Sequence, residues 1–193
     1  MNGGPSVGAV VLAAGMSRRF GSPKQLALVD GRTLLEHVLA CALQARLQPV
    51  VAVVPTWLRR PAPLDENCVR WVRNAFPERG LSLSLRLGFG ALPGDVEAAI
   101  VLLGDQPRVT AGSIDAILAA RGERPLVACM ASGVLAPPVL IERTHFPLVN
   151  ELTGDIGLRA WLAANPDLVR AVPIASDPPD VDTPEDLGRL GGP

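Results

Sequence analysis

Apolar residues in this chain fall into short unbroken runs, separated by stretches with helical spacing. Val7 to Ala13 is such a run, rich in Val and stopped by Ala14 and Gly15, and it predicts a strand buried on both faces. Leu34, Leu35, Val38, Leu39, Ala42, Leu43 and Leu47 then recur at helical spacing. Thr33 followed three residues later by Glu36 reads as a capping box, so an amphipathic helix is expected over 34–47, with His37 on its polar side in a solvated or capping role. Pro49 ends it and Val50–Val54 is a second buried strand. Strand, helix and strand in succession make a βαβ unit, which requires a parallel sheet.

The alternation continues along the chain. Residues 56–64, with Pro61 and Pro63, read as a loop, and Cys68–Arg73 as a weaker strand in which Trp71 is a packing anchor. Asn74 to Ser84 is a turn rising into a helix through Leu85 and Leu87. Val96–Leu103 is the third strong strand and runs directly into Gly104-Asp105-Gln106-Pro107. A helix is expected over Ala111–Arg121 and a strand over Leu126–Met130, with His145 structural, at a helix end. Asp155 suits an N-cap for a helix carrying Ile156, Leu158, Trp161 and Leu162, and Leu168–Ile174 is the last long strand. Finally, Thr183 as N-cap, Pro184 at the first helical position and two acids in the first turn mark a sharp helix start. That motif explains Glu185 and Asp186, but not Asp180 and Asp182, which precede the cap.

Composition narrows the class. With 193 residues, 48% hydrophobic and 19% charged, the chain is expected to fold as one domain (1–193) with a sizeable core. A net charge of −1 gives no reason to expect nucleic-acid or membrane binding. Cys41, Cys68 and Cys129 are odd in number and far apart, so they read as buried small hydrophobes in a reducing compartment. No run approaches the length of a membrane span and the first residues lack a basic leader, which points to the cytoplasm.

Charge is instead focused behind the first strand, where Ser17, Arg18, Arg19, Gly21 and Lys24 follow Gly15 with no acid before Asp30. A strand feeding a small-residue loop with three cations, and then a helix, suggests a phosphate cradle. It is not a Walker loop, since Gly21 is followed by Ser22-Pro23-Lys24, nor a dinucleotide fingerprint, since Gly15 stands alone with Arg18 at the third glycine position. The stretch Leu12-Ala13-Ala14-Gly15-Met16-Ser17-Arg18-Arg19-Phe20-Gly21-Ser22-Pro23-Lys24 does resemble the signature of molybdenum cofactor cytidylyltransferases and related MobA-like nucleotidyltransferases. Later segments resemble the same family in the same order: Asn74 to Ser84, Gly104-Asp105-Gln106-Pro107, the loop Ser132 to Ile141, Thr153 to Arg159, and Asp180 to Leu187. Ala75 and Ala136 depart from the family pattern, standing where it has a proline and a glycine.

The resemblance implies an α/β fold of three layers around a mostly parallel, Rossmann-like sheet of the glycosyltransferase-A-like kind. It implies transfer of CMP from CTP to the terminal phosphate of molybdopterin, with release of pyrophosphate. Nucleotide contacts then fall to Leu12, Ala13, Ala14, Gly15, Ser17, Arg19, Lys24, Asn74, Ser82, Ser84 and Asp105, with Arg18 as a helper. Arg19, Lys24 and Asp105 would carry catalysis, Asp105 and Asp182 would hold Mg²⁺, and Gly154, Asp155 and Arg159 would meet the acceptor. A molybdoenzyme or another protein of the cofactor's pathway is the partner it suggests. The chemistry suits a chain with no paired Ser or Cys nucleophile, because a phosphate monoester is already ionised and the transfer depends on positioning and electrostatics. Lys24, flanked by Pro23 and Gln25, is expected to have no structural partner, and the two carboxylates to repel one another when no metal is bound. Alternatives are a relative using GTP or a sugar or polyol phosphate, a non-catalytic nucleotide-binding module, and a Rossmann oxidoreductase. The guanylyl branch tends to read L-A-G-G, so Ala14 favours CTP.

Overall fold

The buried runs expected from the pattern pair into one sheet. The protein is described by a computed structural model that covers residues 6–58, 68–154, 158–174 and 180–190. In chain order its elements are β1 (Val7–Leu12), a small hairpin of β2 (Leu28–Val29) and β3 (Arg32–Thr33), α1 (Leu34–Gln44), β4 (Val50–Pro55), β5 (Val69–Asn74), α2 (Leu81–Gly90), β6 (Ala98–Leu103) and α3 (Ala111–Ala119). They continue as β7 (Leu126–Ala131), β8 (Val134–Glu142), α4 (Leu158–Ala164), β9 (Val169–Pro173) and α5 (Pro184–Arg189). Shorter 3-10 segments lie at Lys24–Leu26, Pro77–Arg79, Arg143–Asn150 and Pro166–Leu168.

The seven-stranded sheet has the order β5-β4-β1-β6-β8-β7-β9, and every strand but β8 runs the same way. Strand alternation sends side chains to two cores. Ala9 and Val11 face α1 and α3 through Leu35, Leu39, Ile114 and Ile117. Val10 and Leu12 face α2 and α4 through Leu85, Phe89, Leu158 and Leu162. The result is the expected α/β/α layering with a mostly parallel, Rossmann-like sheet. Trp71 packs against the first core, as an anchor should. The capping boxes at Thr33/Glu36 and Thr183/Asp186 form, and a third joins Thr110 to Ser113.

Several expectations need correction. No helix follows the first loop directly: the 3-10 turn at Lys24–Leu26 and the β2–β3 hairpin intervene, and at the start of α1 the Glu36 N–H donates to the Thr33 hydroxyl and the Leu34 N–H to the Ala27 carbonyl. Helix α1 also ends at Gln44 rather than at Leu47. His37 is neither solvated nor capping, since its Nε2 lies 2.7 Å from the Val29 carbonyl oxygen and ties the hairpin to the helix. The expected loop at Ser132–Ile141 is mostly the strand β8. Ser132 and Gly133, with φ of 49° and 79°, make the two-residue turn of a β-hairpin, which brings Ala131 opposite Val134. Pro137 and Pro138 are tolerated inside the sheet because the β7 register skips them, pairing Ala128 with Val139 and Cys129 with Ala136. The loop over 56–64 lies outside the described residues from residue 59 on, as do Asp155 and Ile156 of the expected N-cap and helix start.

The cysteines also differ from expectation. Cys41 and Cys129 are buried, but Cys68, just before β5, is exposed, and no disulfide joins the three. Burial, helped by the charge of Asp115, pushes the Cys41 thiol up to about 11. In the native protein at pH 8, iodoacetamide should therefore alkylate Cys68 and spare Cys41 and Cys129 until the chain is denatured. Peptide mass spectrometry of the native and unfolded protein reads this directly. Fast labelling of Cys41 or Cys129 in the native state would contradict the burial.

Candidate active site

Four segments meet at the carboxyl end of β1 and β6. The parallel ladder between these strands runs from Val7 opposite Ala98 to Leu12 opposite Leu103, so the loops leaving both strands start side by side. The Gly104 N–H donates to the Leu12 carbonyl at 2.9 Å. A Cβ on Gly104 would stand 2.8 Å from the Ala13 Cβ and 3.2 Å from the Leu12 oxygen, so only glycine allows this approach. The third segment is 180–182. Val181 is fully buried beside Val29, Leu34 and Leu190, and its N–H donates to the Asp105 carbonyl at 3.0 Å. Alternation about this buried residue leaves Asp180 and Asp182 on the side facing the site. The fourth is the start of α2.

The first loop is shaped by Gln25, a residue with no role expected from the sequence. Gln25 is 3% exposed, and its Nε2 donates to the carbonyls of Ala13 (3.0 Å) and Gly15 (2.7 Å). Its Oε1 accepts from the Ser17 hydroxyl at 3.2 Å, and that hydroxyl accepts from the Lys24 N–H at 3.1 Å. Ser17 itself has a left-handed φ of 53°. Leu12 and Ala13 are buried in the cores behind the loop, whereas Ala14, though buried, lines the cleft together with the exposed Gly15. The backbone N–H groups from Gly15 to Arg19 have no partner among the described residues. They border a cleft of about 290 Å³ lined also by Lys24, Pro77, Leu81, Ser84 and Asp182. A second depression of about 410 Å³ shares the loop and Pro77 and reaches Pro55 and the exposed Trp57.

Lys24 does have structural partners. Its Nζ donates to Asp105 Oδ2 at 2.5 Å and to Asp182 Oδ1 at 3.0 Å, with only 14% of the side chain exposed. Asp105 and Asp182 are therefore brought together, as expected, but with an ammonium between them rather than as a bare repelling pair. Burial works against the charge of Lys24, yet Asp105 and Asp182 outweigh it and raise its pKa. Arg19, largely exposed, closes the group by pairing with Asp182 Oδ2 at 2.8 Å, while the Arg18 guanidinium lies in solvent near the Met16 sulfur.

The remaining expected residues divide. Ser84 lines the cleft, but Asn74 lies behind it, donating to the Ser84 hydroxyl at 3.0 Å and accepting from the Phe76 N–H at 2.9 Å. Asn74 thus positions the segment, and Ser82 is buried with its hydroxyl unpartnered among the described residues. The Gly154 carbonyl accepts from the Ser82 N–H at 3.2 Å, placing Gly154 against the start of α2. Arg159, on α4, reaches Asp180 Oδ2 at 3.3 Å, and the buried Gln106 donates to Asp180 Oδ1 at 2.7 Å. Burial and then the charge of Asp105 raise the Asp180 pKa, against the pull of Gln106 and Arg159. Gln106 and Asp180 were both missed as site residues. The unexplained acid before the Thr183 cap was the available signal for Asp180, and Gln106 had none beyond its place in the Gly104–Pro107 turn.

The donors fit a hard divalent cation. Asp105 Oδ1 is buried with no hydrogen-bond partner among the described residues, and Asp182 supplies a second carboxylate beside it. No group of three or more His, Cys, Asp or Glu side chains among the described residues could hold a metal, so an ion here would depend on this pair plus oxygens from water or substrate. Mg²⁺ characteristically binds in that way.

Comparison with known proteins places the chain. Residues 9–170 match the MobA-like NTP transferase domain. The chain is 31% identical to the purine catabolism protein PucB of Bacillus subtilis, over 94% of each protein. It is 44% identical over 52 residues to a probable molybdenum cofactor guanylyltransferase of Bacillus cereus, covering 27% of this chain and 26% of that one. Among solved structures, Rv0371c of Mycobacterium tuberculosis superposes with a TM-score of 0.83 at 29% identity, over 97% of this chain and 98% of that one. The same protein in complex with manganese superposes with a TM-score of 0.80 at 26% identity, over 96% and 97%. The chain belongs to the MobA-like NTP transferase family and is a nucleotidyltransferase.

Proposed function

We propose that the protein transfers CMP from CTP to the terminal phosphate of a phosphorylated acceptor, molybdopterin, with Mg²⁺ and release of pyrophosphate. The observation that carries this reading is the cluster of Lys24, Asp105 and Asp182 beside a loop of unpaired backbone N–H groups. Such a site holds a triphosphate next to paired carboxylates and offers no side-chain nucleophile of its own. An oxygen of the acceptor phosphate attacks the α-phosphorus, a new P–O bond forms, and the bond to the β-phosphate oxygen breaks to free pyrophosphate.

The N–H groups of Gly15 to Arg19 receive the β- and γ-phosphates, and Arg19 and Lys24 balance their charge. Ser84 and the start of α2 border the nucleoside, with Asn74 keeping Ser84 in place. Asp105 and Asp182 would hold the metal, whose charge would screen the triphosphate and favour attack at the α-phosphorus. Arg159, oriented by Asp180, faces the acceptor side together with Gly154, and Asp155 is assigned to the acceptor from the family motif alone. A molybdoenzyme or another protein of the acceptor's pathway receives the product. The manganese complex of Rv0371c supports a divalent ion in this family. The similarity to a guanylyltransferase favours a second reading in which GTP is the donor, whereas the Leu12-Ala13-Ala14-Gly15 spelling favours CTP.

The donor is tested by melting temperature. With Mg²⁺ present, CTP should raise Tm more than GTP, UTP or ATP at equal concentration, since a ligand that binds only the folded state stabilises it by mass action. A larger shift with GTP would transfer the assignment to the guanylyl reading.

The metal pair is tested by substitution. Asp105→Asn should slow Mg²⁺-dependent pyrophosphate release roughly a hundred- to a thousandfold. It should also destabilise the metal-free protein by about 1–3 kcal/mol, because the largely buried Lys24 ammonium loses its nearest partner. Asp182→Asn should be milder on both counts, because Asp182 is the more exposed of the two carboxylates and makes the longer contact with Lys24, 3.0 Å against 2.5 Å. Unchanged turnover in Asp105→Asn, followed by pyrophosphate assay against Mg²⁺ concentration, would remove Asp105 from the site.

A further inference from the structure

The cation already seated between Asp105 and Asp182 has a consequence for the order in which substrates bind. Lys24 Nζ makes its two shortest polar contacts with an oxygen of each carboxylate, at 2.5 Å and 3.0 Å. A divalent ion held by the same pair must occupy much of the space that the ammonium fills. With Arg19 on the other oxygen of Asp182, the two carboxylates are balanced by two cations, so the pair carries no uncompensated negative charge to attract a metal. Only Asp105 Oδ1 is left buried and unpartnered among these carboxylate oxygens.

The ammonium is also close to a second destination. Lys24 lines the cleft together with Ser17, Arg18 and Arg19, where the backbone N–H groups from Gly15 on have no partner among the described residues. Its own N–H is anchored by the Ser17 hydroxyl, so the backbone stays in place while the side chain turns. A triphosphate in that cleft offers the ammonium new anionic partners and leaves the carboxylates to a metal.

We infer that Lys24 is a resident counter-ion that competes with the divalent metal for Asp105 and Asp182, so that metal and triphosphate bind cooperatively and metal alone binds weakly. This inference rests on the proposed assignment of the two carboxylates as metal ligands. Such coupling is reciprocal: whatever factor the triphosphate adds to metal affinity, the metal adds to triphosphate affinity. The device keeps two carboxylates together in the apo protein with their mutual repulsion offset by the ammonium between them. It also makes the metal enter with its nucleotide, when the transfer needs it.

The test measures Mn²⁺ binding without nucleotide, by electron paramagnetic resonance of the free ion, for the wild type, Lys24→Met and Asp105→Asn. Lys24→Met keeps an unbranched side chain one atom shorter and removes its charge, and should bind Mn²⁺ at least tenfold more tightly than the wild type. Asp105→Asn should bind it more weakly than either. Melting temperature gives a second readout: Mn²⁺ alone should raise Tm in Lys24→Met and barely change it in the wild type. If Lys24→Met is unstable without metal, recovery of the folded state on adding Mn²⁺ gives the same answer, and Lys24→Gln repeats the comparison with a neutral polar group. Equal Mn²⁺ affinity in the wild type and both Lys24 variants, with loss in Asp105→Asn, would overturn the competition and leave the metal assignment standing. Mn²⁺ binding that ignores Asp105→Asn would overturn the metal assignment and the competition with it.

Discussion

The parallel ladder between β1 and β6 delivers two loops to one place, and the rest of the site is built around that delivery. Because the strands are in register to their last residues, the Leu12 carbonyl is available to the Gly104 N–H just as both chains leave the sheet. The absent side chain at Gly104 lets the turn lie against Ala13, and Asp105 follows immediately. Segment 180–182 then adds to this edge through one backbone hydrogen bond and one buried side chain, Val181. Two carboxylates 77 positions apart become neighbours through backbone pairing and the burial of Val181, and Lys24 then bridges them.

Bringing like charges together has an electrostatic cost, and the protein meets it with its own cations. Lys24 sits between Asp105 and Asp182, Arg19 covers the outer oxygen of Asp182, and Arg159 faces Asp180. The arrangement is nearly neutral, buried enough for the interactions to be strong, and built from groups whose natural partners are phosphates and metal ions. It suits a reaction between two polyanions, where neutralising and aligning charge matters more than a general base. The loop that carries Arg19 and leads into Lys24 is rigidified from behind by Gln25, so its backbone donors stay open without an attached helix to orient them. That differs from the N-terminus of α1, where the Glu36 N–H is taken by the Thr33 hydroxyl and the Leu34 N–H by the Ala27 carbonyl.

Much of the architecture was legible from local pattern. The buried Val-rich runs, the helical spacing from Leu34 on and the Thr-x-x-acid caps are each decided by neighbours a few residues apart, and each appears where expected. Strand β8 was not legible in this way. Its Pro137-Pro138 pair reads locally as a loop, and only the shifted pairing with β7 lets a chain without those two donors lie inside a sheet. The end of α1 and the partner of His37 were likewise hidden, because both depend on a hairpin of two-residue strands too short to show a period.

The site divides along the same line. By itself the sequence determined which residues could take part: a cationic loop after a buried strand, an aspartate at the end of another, and acids left over before a cap. Those features follow from composition and spacing within a few residues. Only the tertiary structure decided how they pair. Lys24 had no partner in sequence and two in space, Asn74 proved to brace Ser84 from behind the cleft, and Gln25 and Gln106 were plain polar residues until burial turned them into scaffolding. A buried amide or ammonium must find partners or lose stability, and which partners it finds depends on groups far away in the chain, beyond the range of any local signal.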